Sequence, residues 1–181
     1  MPTATDLKAQ GLVLFQSDQL PAAAEKFAEA AQLFAAQDEP LSAAEMRNNV
    51  CVVRLAEKNW DAALTAVTGT PELFQQNGQP LRQAQALGNL AAAHEGAGHL
   101  DEAVALYEQA IDLYKELGDT ENRAACWKAL SGLQIKQDNK LQALASMQAG
   151  LNLATDLSPK EKTLKGLLDR AFKLMNGRGL P

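Results

Sequence analysis

Apolar residues along this chain recur at intervals of three and four. Ala103, Leu106, Tyr107, Ala110, Leu113 and Tyr114 keep one stripe on a single helical face. The stripe itself repeats. Ala23, Ala63, Ala103 and Ala143 stand 40 residues apart, and the same shift aligns Phe27, Val67, Tyr107 and Met147, then Leu33, Leu73, Leu113 and Leu153, and also Leu20, Trp60 and Leu100. Four units result, about 3–38, 39–78, 79–118 and 119–157, each long enough for two helices. Turn signals fall between the helices: Gly96-Ala97-Gly98, Gly118-Asp119 and Asp138-Asn139, with Pro40 and Pro80 opening units two and three. A small residue at a fixed position lets two helices approach closely, and a large one beside it fills the gap. The Ala and Phe/Tyr ladders therefore predict antiparallel pairs packed along a continuous core.

Two segments qualify this pattern. In the second unit Thr68-Gly69-Thr70-Pro71 replaces what is Glu108-Gln109-Ala110-Ile111 in the third. A helix interior disfavours glycine by about 1 kcal/mol and proline by about 3, so a break is expected there. Thr70 can cap the restarted helix, with Pro71 in its first turn and Glu72 near the positive end of the dipole. Beyond the fourth unit, Ser158-Pro159-Lys160-Glu161 has the form of a capping box and opens a ninth helix over 158–176. Its apolar stripe, Leu164, Leu167, Leu168, Ala171, Leu174 and Met175, predicts a cap over Trp127 and the last pair.

At these residues the sequence resembles the tetratricopeptide repeats, in the longer-period form found in kinesin light chain and bacterial peptide sensors. The third unit carries the resemblance best: Leu87, Leu90, Ala91 and His94 on its first helix, then Gly98, Ala103, Tyr107 and Ala110 on its second. Trp127, Leu130, Ser131 and Ala143 match in the fourth, and Leu7, Gly11, Leu14, Ala23, Phe27 and Ala30 in the first. The second unit departs, with Arg47, Arg54 and Thr70 at sites where the pattern expects a large apolar, a tyrosine-like and a small residue. The resemblance implies an all-α, right-handed superhelix of four helix pairs plus the C-terminal capping helix. The expectation for 1–181 is one domain.

Composition narrows the function. Hydrophobic residues make up 46% of the chain and aromatics 5%, with helix formers dominant. No stretch reaches the ~20 apolar residues of a membrane span, and no leader pattern opens the chain, so a soluble cytoplasmic protein is expected. Residues 158–181 carry a charge of +4 and residues 1–157 a charge of −9. An acidic body argues against nucleic acid as partner. Cys51 and Cys126 belong to no metal-ligand spacing, and His94 and His99 do not share a helix face at i, i+4. No phosphate loop or nucleophile elbow is present. The expectation is a protein without catalytic residues, cofactor or metal.

What the resemblance implies instead is a groove lined by the first helix of each pair, which holds a peptide or helix of another protein. Carried over position by position, its contact residues are Lys8, Leu12 and Phe15 in the first unit, and Asn48, Asn49, Val52 and Leu55 in the second. Gln85 and Asn89 follow in the third, and Lys128 and Ile135 in the fourth. Asn49 and Asn89 are equivalent under the 40-residue shift. An amide offers a donor and an acceptor, so such a pair can hold an extended backbone of any sequence, or can bond within the solenoid. An interaction adaptor is the leading function. A peptide-sensing part of a signalling system and a self-assembling scaffold use the same surfaces.

Overall fold

The computed structural model describes residues 2–177, and among these the only regular structure is helical. The helices are α1 (Ala4–Gln16), α2 (Leu20–Ala36), α3 (Pro40–Ala56), α4 (Trp60–Val67), α5 (Thr70–Gln76), α6 (Pro80–Ala97), α7 (Leu100–Leu117), α8 (Thr120–Lys136), α9 (Lys140–Leu153) and α10 (Pro159–Gly177). Ten segments stand where nine helices were expected, because the fourth is interrupted at Thr68-Gly69. The fold is an all-α helical repeat. The chain divides into two compact units, Met1–Leu113 and Tyr114–Pro181.

Helix length is set by a turn that recurs every 20 residues. Asp18, Asp38, Lys58, Gly78, Gly98, Gly118 and Asp138 all adopt positive φ, between 57° and 85°. At each of them the chain leaves one helix through a left-handed residue and enters the next within two residues. Asn59 and Asp119 then cap α4 and α8 by accepting from Ala62 and Asn122 backbone N–H groups. Thr3 and Asp6 close a full capping box at α1, as Ser158 and Glu161 do before α10.

Within Met1–Leu113 the core forms where small and large positions meet. Gly11, Cys51 and Ala91 share one repeat position, which Ser131 holds in Tyr114–Pro181, and all four are buried. A Cβ at Gly11 would lie 2.7 Å from Cε1 of Phe27, so only glycine lets the ring seat against α1. Ala23, Ala63 and Ala103 are fully buried. Phe27, Met46 and Val53 gather the first cluster, and Val67, Phe74 and Cys51 the second. Gly96, read as part of a turn signal, instead stands within α6 under the Trp60 ring, which a side chain there would meet.

The helix break joins two departures from the repeat. In a continuous helix the carbonyls of Ala66, Val67 and Thr68 would accept from residues 70, 71 and 72. Pro71 has no N–H, and Gly69 turns the chain through φ 80°. Arg47 donates Nε to Ala66 O at 3.0 Å and Nη2 to Thr68 O at 2.5 Å, while the Thr70 hydroxyl donates to Val67 O at 2.8 Å. Thr70 thus does not cap the restarted helix. Gly69 occupies that position, and the fully buried Thr70 side chain reaches back to the helix before. The arginine that breaks the apolar pattern at 47 satisfies the carbonyls that the break at 68–71 releases.

In Tyr114–Pro181 α9 packs on α8, and α10 on α9. Ser131 donates to the Ala143 carbonyl at 2.7 Å and Ser146 to Gln134 Oε1 at 2.8 Å, so these hydroxyls buried between α8 and α9 are paired. α10 caps the last pair as expected, but its apolar stripe is mostly uncovered. Leu168 is buried, but Leu164, Leu167, Ala171, Leu174 and Met175 are exposed. Polar contacts share the attachment: Gln148 with Asp169, Lys165 with Asn152, and Lys128 with Glu161.

Two measurements test this account. Lys58 is the one basic residue among the left-handed positions, and a side chain there costs about 1–2 kcal/mol. Lys58→Gly should raise the stability to urea by up to about 1 kcal/mol, the gain being reduced by the greater freedom of glycine in the unfolded chain, while Gly98→Ala should lower it by a similar amount. Burial pushes the Cys51 thiol up to about 12 and the Cys126 thiol to about 11. A raised thiol pKa leaves its stabilisation intact below pH ~9 and erodes it above. Both thiols should resist a disulfide reagent at pH 8 in native protein and react on unfolding.

Candidate functional site

In Met1–Leu113 the first helices of the pairs, α1, α3 and α6, carry nine of the residues expected to contact a partner. Side chains join these helices in a row. Lys8 Nζ lies 2.5 Å from Glu45 Oε1, and Arg82 Nη2 lies 3.1 Å from Glu45 Oε2, so one carboxylate on α3 ties α1 to α6. Each pair is partly solvated and contributes about 0–1 kcal/mol. Arg82 was not among the sequence candidates. It stands one turn before Gln85 on α6, a spacing that puts both on one face.

The two asparagines separate. Asn89 Nδ2 donates to Asn48 Oδ1 at 3.1 Å, and the Cys51 thiol approaches the Asn89 carbonyl at 3.9 Å. Asn48 and Asn89 therefore bond within the solenoid, as one of the two readings allowed. Asn49 is half-buried, yet its amide makes no hydrogen bond among the described residues. Gln85 is exposed and equally unengaged. Asn49 thus keeps its donors and its acceptor facing solvent.

The apolar candidates divide in the same way. Leu12 is 42% exposed, and beside it Val13, not among the candidates, is 61% exposed. Phe15 packs against the first core cluster and Leu55 against the second. Val52 is half-buried. Phe15 and Leu55, expected as groove residues, thus also fill gaps at the edge of the core.

Lys128 and Ile135 stand on α8 in Tyr114–Pro181. Lys128 Nζ lies 2.6 Å from Glu161 Oε1 and fastens α8 to the first turn of α10. The hydrogen bond from Lys128, then those from the Ser158 hydroxyl and backbone, hold the Glu161 carboxyl down at about 2. Lys128 is engaged in this contact. Ile135 is 59% exposed at the end of its helix.

The two histidines sit together although they do not share a helix face at i, i+4. Their Nδ1 atoms are 3.2 Å from each other, with the rings tilted by 53°. One ring donates and the other accepts, so the accepting nitrogen carries no proton. Burial and then the nearby His99 lower the His94 pKa, against a smaller opposing effect of Glu102. Among the described residues no group of three or more His, Cys, Asp or Glu side chains could hold a metal ion. No described helix is long and apolar enough to cross a membrane.

Comparison with known proteins places this geometry in a wider set. No curated protein matches in sequence. Among solved structures, BtubC (BKLC) from P. vanneervenii superposes with a TM-score of 0.73 at 15% identity, covering 92% of this chain and 64% of that one. The MamA RS-1 ArsTM double mutant gives 0.64 at 18% identity, over 83% of this chain and 74% of that one. Aspartyl phosphate phosphatase F from Bacillus subtilis gives 0.76 at 12% identity, over 96% of this chain and 48% of that one. The chain thus spans less than two thirds of the length of the first and third of these, and at such identities the likeness is one of fold. The family model described as Tetratricopeptide repeat matches residues 42–116 and again 82–156, which together cover more than half of the sequence. The chain belongs to the tetratricopeptide repeat family.

Proposed function

We propose that this protein is a non-catalytic interaction module that holds a segment of another protein across α1, α3 and α6. The observation that carries the reading is Asn49, a half-buried amide on the central helix of that face with no hydrogen bond among the described residues. Leu12 on α1 and Gln85 on α6 supply an exposed apolar group and a second open amide on the same face. A segment laid across these helices can pair its backbone with Asn49 and bury an apolar side chain on Leu12 and Val13. The Lys8–Glu45–Arg82 chain holds the three helices beside one another, so little reorganisation accompanies binding. Loss of freedom on association leaves micromolar affinity as the natural expectation for one short segment.

Selection of binders from a random 12-residue peptide library tests the face. Asn49→Ala should weaken a selected peptide by about 0.5–1.5 kcal/mol, and Leu12→Ala should weaken it further, with the melting curve unchanged. Asn89→Ala should lower thermal stability instead, because it strips Asn48 of its bond. Peptides that bind the Asn49→Ala, Leu12→Ala double variant as well as the parent would place recognition elsewhere.

A second reading, self-assembly, is favoured by α9 and α10, where Leu141 and Leu144 are exposed along with Leu167, Leu174 and Met175. Contact between two copies would cover this surface. Light scattering should then show a mass that rises with concentration, and Leu167→Glu with Leu174→Glu should return the protein to monomer. A constant monomer mass in the parent protein would remove this reading.

A further inference from the structure

We infer that the groove between α2 and α4 binds an aliphatic carboxylate, with Arg47 as the residue that receives its head group. The groove encloses about 780 Å³, within the ~300–1,000 Å³ range of small-molecule sites. Its floor is α3, its walls are α2 and α4, and Leu73 of α5 closes one end. Alanines dominate the walls, among them Ala31 and Ala66, so the surface is smooth and apolar and suits a methylene chain more than a branched or polar ligand.

One charge stands in that lining. Arg47 Nε and Nη2 are held by the Ala66 and Thr68 carbonyls, which fixes the guanidinium plane, and its Nη1 makes no hydrogen bond among the described residues. No carboxylate pairs with it among the described residues. The positive charge is met only by the carbonyl end of α4. A fixed guanidinium with a free donor edge beside an apolar trough is complementary to a carboxylate carrying an apolar chain. The carbonyls at the helix break orient the arginine, and no residue lining the trough belongs to the face assigned to the partner segment.

Calorimetric titration with decanoate, below its micelle concentration, and with decyltrimethylammonium as an equal-length cation tests the inference. Decanoate should saturate a single site, and the cation should not. Arg47→Gln, which keeps donors for the two carbonyls but removes the charge, should weaken decanoate about tenfold or more. Thr65→Trp and, on the opposite wall, Gln32→Trp place a ring over the trough from exposed positions and should abolish binding, with circular dichroism confirming that each variant is folded. Nuclear Overhauser contacts from the decanoate chain to the Ala31 and Ala66 methyls should mark the site. Equal binding of the two amphiphiles, or decanoate binding untouched by all three substitutions, would overturn the inference. So would concentration-dependent self-association that Thr65→Trp abolishes, since the trough would then be covered by a second copy.

Discussion

Everything in this fold depends on how closely the two helices of a pair can approach. Gly11 against Phe27 shows the constraint at its tightest, for a single added carbon would enter the ring. The same repeat position holds Cys51, Ala91 and Ser131, none larger than a few atoms and all buried. Small groups here let the backbone of the first helix come near, and the large residue of the second then fills the remaining volume at close-packed density. Gly96 beneath Trp60 uses the same device between one pair and the next.

The left-handed turns turn that local contact into a repeat. With one such residue every 20 positions, the chain reverses after equal stretches and at the same phase. Equal phase brings Lys8, Glu45 and Arg82 into one row, and Asn48 and Asn89 into another. The candidate face is thus a consequence of register, and its residues are shared between holding the helices together and remaining free for a partner.

Where the repeat is violated, the violations compensate one another. Arg47 and the Thr68–Pro71 interruption would each be costly alone, one as a charge at an apolar site and the other as a set of orphaned carbonyls. Together they satisfy each other, and Arg47 is held at the edge of an apolar groove. Thr70 completes the arrangement by taking the carbonyl that no arginine nitrogen reaches.

By itself the sequence determined the helices, their pairing and the location of the break, because 3.6-residue periodicity and a 40-residue shift are properties of a linear string. The 20-residue recurrence of left-handed turns was also present in the string at Asp18, Asp38, Lys58, Gly78, Gly98, Gly118 and Asp138. It went unread because lysine and aspartate do not announce positive φ as glycine does. Only the tertiary structure decided which polar groups remain available. Asn49 and Asn89 occupy equivalent positions, and nothing in their identity tells which will find a neighbour. That depends on Asn48 accepting at 3.1 Å from one, while the other finds no hydrogen-bond partner among the described residues. Likewise Lys128 read as a groove residue until Glu161, 33 positions away, took its charge, and the α10 stripe read as covered until only Leu168 proved to be. Hydrogen bonds and burial are set by distances across the fold, and those distances exist only after the helices have packed.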